Sequence, residues 1–217
     1  MKELPKLSRM KIKICGITNA DDAAIAWEAG ADALGFVMYR KSPRFVEPAV
    51  VKAIVAGLSP FVLPIGVFVN EAPERVRALM DDCGLALAQL HGDESALYCQ
   101  QLGRPVLKAL RLKDRGTFLA LAEFQGRANV RGFLIDAFSD HAYGGTGQTV
   151  DWTLAQEAAR SMPIILAGGL SPMNVAEAIA RVRPYGVDVS SGVEQSPGKK
   201  DPDKVKALIQ AARLVPV

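Results

Sequence analysis

An alternation of short apolar runs with helical patterns, repeated eight times, is the feature that most constrains the fold of this 217-residue chain. Strands that alternate with helices indicate parallel β-α-β units, and eight such units close into a barrel. No break in composition and no linker divides the series. We therefore predict a single α/β domain, a (β/α)8 TIM barrel over residues 11–217, after a short N-terminal extension, 1–10. An open doubly wound sheet is the alternative.

Local patterns predict the individual elements. Strands are predicted within 11–18 and over 33–39, 63–69, 85–91, 105–112, 131–137, 163–167 and 186–190. Helices are predicted from about 18 to 29, over 46–57, 73–83, 95–102 and 114–124, from about 151, after 171–172, and from 201 to about 213. Gly84 is a helix-stop signal, and Ser171-Pro172 predicts a cap with proline as the first helical residue.

The composition argues against several classes of protein. A formal net charge of +3 and a pI near 8.8 are mild, and no run of lysine and arginine is dense enough for a nucleic-acid surface. No uninterrupted apolar span is long enough for a membrane helix, and the first ten residues lack the apolar core of a signal peptide. We therefore expect a cytoplasmic protein with no nucleic-acid or membrane partner.

Cysteine and histidine usage predicts neither disulfides nor a metal site. Cys15, Cys83 and Cys99 are odd in number and far apart, without a C-x-x-C pair. His91 and His141 are too far apart to form a helical pair of metal ligands. A reducing compartment fits this pattern best.

The first predicted strand ends in a reactive group. Side chains alternate between the two faces of a strand, so Ile12 and Ile14 share one face while Lys13 and Cys15 share the other. If helices cover the isoleucine face, the thiol lies at the carboxyl end of the barrel, where this fold places its chemistry. Gly16 follows and has no side chain to block the approach of a ligand.

The sixth predicted strand brings a second ionisable group to the same end. Phe133 and Ile135 face the helices by the same alternation, which leaves Leu134 and Asp136 facing inward. The first and sixth strands are not neighbours in a ring of eight. Cys15 and Asp136 should therefore flank a ligand rather than touch, so that one can donate a proton while the other accepts one. Simple packing of the cysteine and helix capping by the aspartate are the alternatives.

Glycine-rich segments near the last strands predict an anion site. The polar loop 138–150 and the segment 192–200 lack the spacing of dinucleotide and P-loop motifs. Backbone N–H groups after the last two strands of a barrel nevertheless often bind phosphate. We assign phosphate binding to Gly145, Gly147, Gly168, Gly169, Ser190, Ser191 and Gly192.

Arg44, in the loop after the second predicted strand, is a candidate clamp for a carboxylate. A guanidinium group can hold a carboxylate through two parallel hydrogen bonds. A solvated surface arginine is the alternative.

Several motifs together resemble those of the phosphoribosylanthranilate isomerase family. They are KICGIT (13–18), GFVMYRKSPRFV (35–46), GVFVN (66–70), QLHGDE (89–94), LIDAF (134–138), YGGTGQTVDW (143–152), LAGGL (166–170) and VDVSSGVEQSPGKKD (187–201). The resemblance covers nearly the whole chain except the first ten or so residues. It implies an Amadori rearrangement of a phosphoribosyl-amine in tryptophan biosynthesis, without metal or other cofactor.

The resemblance also assigns roles to individual residues. It implies that Cys15 is the general base, Asp136 the general acid and Arg44 the residue that holds the anthranilate carboxylate. We assign His91 and Asp188 to the substrate site as well. Ring opening needs a proton on the furanose oxygen, and removal of the C2′ proton needs a thiolate, which a positive environment supplied in part by Lys13 would favour.

Three other functions remain open at this point. The histidine-pathway phosphosugar isomerase shares the barrel and the reaction type, but its pattern has an aspartate where Cys15 stands and repeats its phosphate motif between the two halves. A Schiff-base aldolase could use Lys108 or Lys13. A non-catalytic barrel that binds a phosphate ligand is the third. The sequence leaves the oligomeric state open between monomer and homodimer.

The alternation of side chains on the last strand predicts one further contact. Val187 and Val189 should face the helices, which turns Asp188 inward. Because the eighth strand pairs with the first when the barrel closes, Asp188 should form an ion pair with Lys13.

Overall fold

The computed structural model describes residues 9–112, 114, 116, 121–124, 126–127, 129–137 and 151–216. Its eight parallel strands form a closed barrel in sequence order, with β1 paired to both β2 and β8. The barrel strands are β1 (Lys11–Cys15), β2 (Ala33–Val37), β3 (Leu63–Phe68), β4 (Leu87–Leu90), β5 (Val106–Leu112), β6 (Val130–Ala137), β7 (Ile164–Leu166) and β8 (Gly186–Val189). The predicted barrel is confirmed, and the open sheet is excluded.

Seven α-helices alternate with these strands in the described part of the chain. They are α1 (Ala20–Glu28), α2 (Pro48–Ala56), α3 (Pro73–Cys83), α4 (Ala96–Leu102), α5 (Trp152–Ser161), α6 (Val175–Val182) and α7 (Pro202–Arg213). Gly84 ends α3 in the left-handed conformation, with φ 68°, as the stop signal predicted. No helix among the described residues is both long and apolar enough to cross a membrane.

The main core lies between the outer face of the barrel and the helices. The outward-facing side chains of β1, β6 and β8 all belong to this cluster, as their alternation predicted: Ile12, Ile14, Phe133, Ile135, Val187 and Val189. A smaller cluster fills the inside of the barrel and includes Leu107, Ala109, Leu134 and Ala167. The two clusters separate because successive strand residues point to opposite faces of the sheet.

The start of α6 differs from the prediction. Ser171 and Pro172 precede the helix, whose N-cap residue is Asn174. The Asn174 side chain accepts a hydrogen bond from Ser171 N at 2.8 Å and donates one to Gly169 O at 3.0 Å. These bonds close a tight turn ahead of the helix, so the proline lies in that turn rather than at the first helical position.

Three other predicted segments differ from the prediction or lie partly or wholly outside the described residues. Of the predicted helix over 114–124, residues 115 and 117–120 lie outside the described residues, Gly116 is helical, and Leu121–Phe124 form a 3-10 turn. The predicted polar loop after β8 contains a 3-10 turn, Ser191–Val193, and an antiparallel hairpin of β9 (Glu194–Ser196) and β10 (Lys199–Lys200). The glycine-rich loop 138–150, with Gly145, Gly147 and His141, lies outside the described residues.

Candidate active site

A cavity of about 730 Å³, with the open solvent at its mouth included, lies at the carboxyl ends of the barrel strands. Most of the site residues predicted from the sequence line it: Cys15, Arg44, His91, Asp136, Gly168, Gly169, Asp188, Ser190 and Ser191. They come from the ends of six strands and the loops that follow, which is where a barrel of this kind places its chemistry. The individual groups differ in their partners and therefore in what they can do.

Cys15 ends β1 and has Lys13 beneath it on the same inner face. The Lys13 ammonium donates a hydrogen bond to Asp188 Oδ1 at 2.9 Å, and both side chains are buried, so the predicted ion pair is confirmed. Burial raises the pKa of the Cys15 thiol above its ordinary value, and Lys13 is the strongest influence in the opposite direction. The positive environment expected for the thiol is therefore present but does not outweigh burial.

The buried Lys13–Asp188 pair makes a testable contribution to stability. Asp188→Asn should lower the free energy of unfolding by about 3–5 kcal/mol, because it leaves the Lys13 ammonium buried without a counter-charge. Burial alone would lower the pKa of Lys13, but Asp188 and Cys15 hold it above the ordinary value of 10.5. Urea unfolding of both proteins measures the difference.

The raised pKa of Lys13 also sets the pH range of this effect. A group whose pKa is higher in the folded state stabilises the fold fully below its unfolded pKa and loses this contribution as the pH rises through the folded pKa. The cost of Asp188→Asn should therefore be constant from neutral pH to about pH 10 and decrease above it. Asp82→Asn is the control, since the Asp82 carboxylate is exposed and pairs with Lys52 on the surface. Equal costs for the two substitutions would contradict the prediction.

Asp136 ends a chain of three buried side chains. Its Oδ2 accepts a hydrogen bond from His91 Nε2 at 3.1 Å, and His91 Nδ1 accepts one from Gln89 Nε2 at 3.0 Å. In this arrangement the imidazole donates at Nε2, which orients the carboxyl group toward the cavity. Gln89 Oε1 is buried without a partner in the described part of the chain. His91 thus contacts the candidate acid directly.

Arg44 does not lie free in solvent, because it forms a buried pair with a carboxylate. Its Nε and Nη2 donate to the two carboxylate oxygens of Glu194 at 2.9 and 2.8 Å. The Arg44 side chain is only 11% exposed, so the surface alternative is excluded. A Cβ atom on Gly16, whose φ is 77°, would lie 2.7 Å from Arg44 Cδ. Arg44 therefore fills the space beside this glycine. The prediction that Gly16 leaves this space open for a ligand is wrong.

The loops after β7 and β8 meet at the cavity wall. The N–H groups of Gly168 and Gly169 make no backbone hydrogen bond within the described residues. A side chain on Gly192 would collide with the carbonyl of Leu170, so this glycine permits the two loops to approach closely. Gly192 itself does not line the cavity. The hydroxyl of Ser190 is buried without a partner in the part of the chain described.

The two lysines considered for Schiff-base chemistry are both held by other groups. Lys108 Nζ donates to Glu94 Oε2 at 2.7 Å, to Gly92 O at 2.7 Å and to Leu90 O at 3.2 Å. Lys108 does not line the cavity, and Lys13 is paired with Asp188. A Schiff base needs a neutral and accessible amine, so the structure disfavours an aldolase.

Sequence reasoning missed four residues that shape this site. Glu194 and Lys200 lie in the hairpin that was treated as a polar loop, and Gln89 supports His91. Gly35 on β2 is the fourth, because a Cβ there would lie 2.7 Å from Cys15 Sγ and 3.0 Å from Lys13 Nζ. A glycine inside a predicted strand signals such a close approach and could have identified Gly35.

The other two cysteines do not take part in the candidate site. Cys83 and Cys99 are buried in the main core and do not line the cavity. Within the described residues no group of three or more histidine, cysteine, aspartate or glutamate side chains could hold a metal ion.

Comparisons with known proteins agree on one family. The family model described as N-(5'phosphoribosyl)anthranilate (PRA) isomerase matches residues 12–211. A protein of Citrifermentans bemidjiense named N-(5'-phosphoribosyl)anthranilate isomerase is 50% identical over 205 residues, which cover 94% of this chain and 98% of that protein. One from Trichlorobacter lovleyi with the same name is 51% identical over 205 residues, with 94% and 98% covered.

Solved structures agree with the sequence relatives. Phosphoribosyl anthranilate isomerase from Thermotoga maritima has a TM-score of 0.86 and 39% identity, covering 94% of this chain and 98% of that one. A structure of such an isomerase in complex with reduced 1-(o-carboxyphenylamino)-1-deoxyribulose 5-phosphate has a TM-score of 0.83 and 39% identity, with the same coverage. The chain therefore belongs to the N-(5'-phosphoribosyl)anthranilate isomerase family, as the order of its motifs predicted.

Proposed function

We propose that the protein converts N-(5'-phosphoribosyl)anthranilate to 1-(2-carboxyphenylamino)-1-deoxyribulose 5-phosphate in tryptophan biosynthesis. The observation that carries this proposal is that Cys15 and Asp136 line the same cavity. Arg44 and the glycine loops line it as well. β1 and β6 are separated in the barrel by β7 and β8, so the two groups face a ligand from different sides. This arrangement suits a reaction in which one proton is donated and another is removed.

In the first step Asp136 acts as the general acid. It protonates the furanose ring oxygen, the bond between that oxygen and C1′ breaks, and the electron pair of the arylamine nitrogen forms a protonated Schiff base. The hydrogen bond from His91 Nε2 fixes the orientation of the Asp136 carboxyl group relative to the ring.

In the second step Cys15 acts as the general base. The iminium group acidifies the C2′ hydrogen, the Cys15 thiolate removes that proton, and the resulting enolamine tautomerises to the ketone. The Lys13 ammonium below the sulfur partly offsets the cost of burying the thiolate.

The two anionic ends of the substrate bind to different groups of the cavity. Arg44 binds the anthranilate carboxylate, while the N–H groups of Gly168 and Gly169, the hydroxyl of Ser190 and the loop at Ser191 bind the phosphate. Buried polar groups without a partner are costly, so a ligand oxygen that bonds to the Ser190 hydroxyl would be favourable. These roles are predictions, as are the phosphate roles of Gly145, Gly147 and Gly192 and the roles of His91 and Asp188 in substrate binding.

A fluorescence assay tests the proposed reaction. Phosphoribosylanthranilate generated in the cuvette should lose its anthranilate-type emission when the protein is added, without any added metal. No loss of emission, with substrate shown to be bound, would favour a non-catalytic binding protein. Inactivation by borohydride in the presence of substrate would instead indicate a lysine Schiff base. Turnover of the histidine-pathway substrate alone would indicate the related isomerase.

Replacement of Arg44 should affect the binding of only one end of the substrate. Arg44→Ala should weaken competition by anthranilate by about tenfold, since a charge-assisted pair with a carboxylate is lost, and leave competition by inorganic phosphate nearly unchanged. Inhibition constants for the two compounds measure this. If both lose affinity equally, Arg44 has a structural role or the phosphate site is elsewhere.

A further inference from the structure

Behind the cavity, Glu194 lies between two cations. Its carboxylate accepts two hydrogen bonds from Arg44 and one from Lys200 Nζ, at 2.9 Å to Oε1. The N–H of Gly198 also donates to Oε1, at 3.3 Å. We call these three charged side chains, Arg44, Glu194 and Lys200, the anchor cluster. Lys200 is fully buried and Glu194 nearly so, and their ion pair holds the two side chains in place.

The geometry of the guanidinium group gives Arg44 two edges. Glu194 occupies the edge formed by Nε and Nη2. The second edge, formed by Nη1 and the remaining hydrogen of Nη2, has no partner among the described residues, and Arg44 lines the cavity. A planar guanidinium can bind one carboxylate on each edge, because its five N–H groups point in fixed directions. Arg44 can therefore hold Glu194 and a ligand carboxylate at the same time.

The charges of the anchor cluster favour a second carboxylate. Glu194 is one anion between two cations, and both cations are largely removed from water. A buried cation without full compensation attracts an anion strongly in a site of low dielectric constant. A carboxylate on the aromatic ring of the substrate would complete the charge balance, whereas an uncharged ring would not.

The anchor cluster is also connected to the backbone around the base. Lys200 Nζ donates to Cys15 O at 2.5 Å and to Ser190 O at 3.4 Å. The backbone N–H of Lys200 donates to Asp22 Oδ2 at 2.8 Å, which ties the hairpin to the first helix. The same buried ammonium thus contacts the end of β1 and the loop after β8, so Glu194 is held against a rigid part of the barrel.

We propose that Glu194 is a positioning residue that presents the second edge of Arg44 to the carboxylate of the substrate's aromatic ring. Through Arg44, Glu194 sets the preference of the enzyme for a carboxylated arylamine over one without the carboxylate. The proposal rests on the proposed function, because it assumes that the cavity binds the phosphoribosyl arylamine.

Two ligands that differ only in the carboxylate test this proposal. One is reduced 1-(o-carboxyphenylamino)-1-deoxyribulose 5-phosphate, and the other is the same compound made from aniline. The wild-type protein should bind the first much more tightly. Glu194→Gln should lower the affinity for the carboxylated ligand about tenfold, because the amide has no negative charge and cannot accept hydrogen bonds from both Arg44 donors. The affinity for the aniline compound should change less than twofold. Calorimetric dissociation constants measure both ligands.

The outcomes separate positioning from a merely structural role. An equal loss of affinity for both ligands, or no loss for either, would overturn the proposal. Glu94→Gln is the matched control, because Glu94 is also a buried partner of a lysine, Lys108, and does not contact Arg44. It should leave the ratio of the two dissociation constants unchanged.

A second variant covers the case in which Glu194→Gln does not fold. Arg44→Lys retains a cation beside Glu194 but provides no second edge, so the ratio of the two dissociation constants should fall about tenfold while the protein stays folded. A ratio that is retained in Arg44→Lys would overturn the proposal. Failure of the proposed function would be recognised separately, as absence of isomerase turnover in the wild-type protein.

Discussion

Cys15→Ser should lower kcat by about 10²–10⁴-fold and leave the fold and ligand binding intact. The serine hydroxyl fills nearly the same space in the cavity but is far too weak an acid to exist as an anion near neutral pH. Burial already raises the pKa of the Cys15 thiol, and the neighbouring Lys13 is the strongest influence that opposes this effect. A residue with a still higher pKa has no usable anion at this position. Single-turnover rates with excess enzyme measure the chemical step.

Cys83→Ser is the matched control for this substitution. Cys83 is buried in the main core, does not line the cavity, and its thiol donates to Pro48 O at 3.4 Å, which a hydroxyl can also do. This variant should keep its turnover and show at most a change in stability. Wild-type turnover in Cys15→Ser would remove Cys15 from the role of base.

Asp136→Asn should cause a loss of similar size, about 10²–10⁴-fold in kcat, with the substrate still bound. The amide keeps the shape of the side chain and can accept the hydrogen bond from His91, so the local structure should persist. An amide cannot deliver a proton to the furanose oxygen, and the ring therefore stays closed. Rapid-quench analysis should find unopened substrate on the variant.

An exposed aspartate at the same end of the barrel gives the comparison. The Asp93 carboxylate is 65% exposed and pairs with Arg111 at 3.1 Å, so Asp93→Asn should leave kcat within about twofold. If Asp136→Asn retained the activity of the wild type, the acid would have to be another group at the mouth, and His91 would be the first to test.

Much of the barrel interior followed from local alternation. Lys13 and Asp136 point inward because each alternates along its strand with apolar residues that face the helices. The pairing of Lys13 with Asp188 needed one global step, closure of the ring between β1 and β8, and the register confirms it by placing these two residues opposite each other. These predictions were reliable because strand periodicity and barrel closure leave few alternatives.

The contacts between loops did not follow from any periodicity. Arg44 and Glu194 are separated by 150 residues, and only the folded hairpin of β9 and β10 brings the carboxylate to the arginine. The turn that displaces the start of α6 likewise depends on the side chain of Asn174. A polar loop has many conformations of similar free energy, and its packing against the rest of the protein selects among them.

The sequence by itself therefore determined the eight-stranded barrel, the end of it that carries the chemistry, and the inward direction of Cys15 and Asp136. Only the tertiary structure decided the partner of Arg44, the hydrogen-bond chain from Gln89 to Asp136, and the role of Gly16 in making room for the arginine. The physical reason is that alternation along a strand is a local property, whereas the pairing of side chains from distant loops depends on where the whole chain places them.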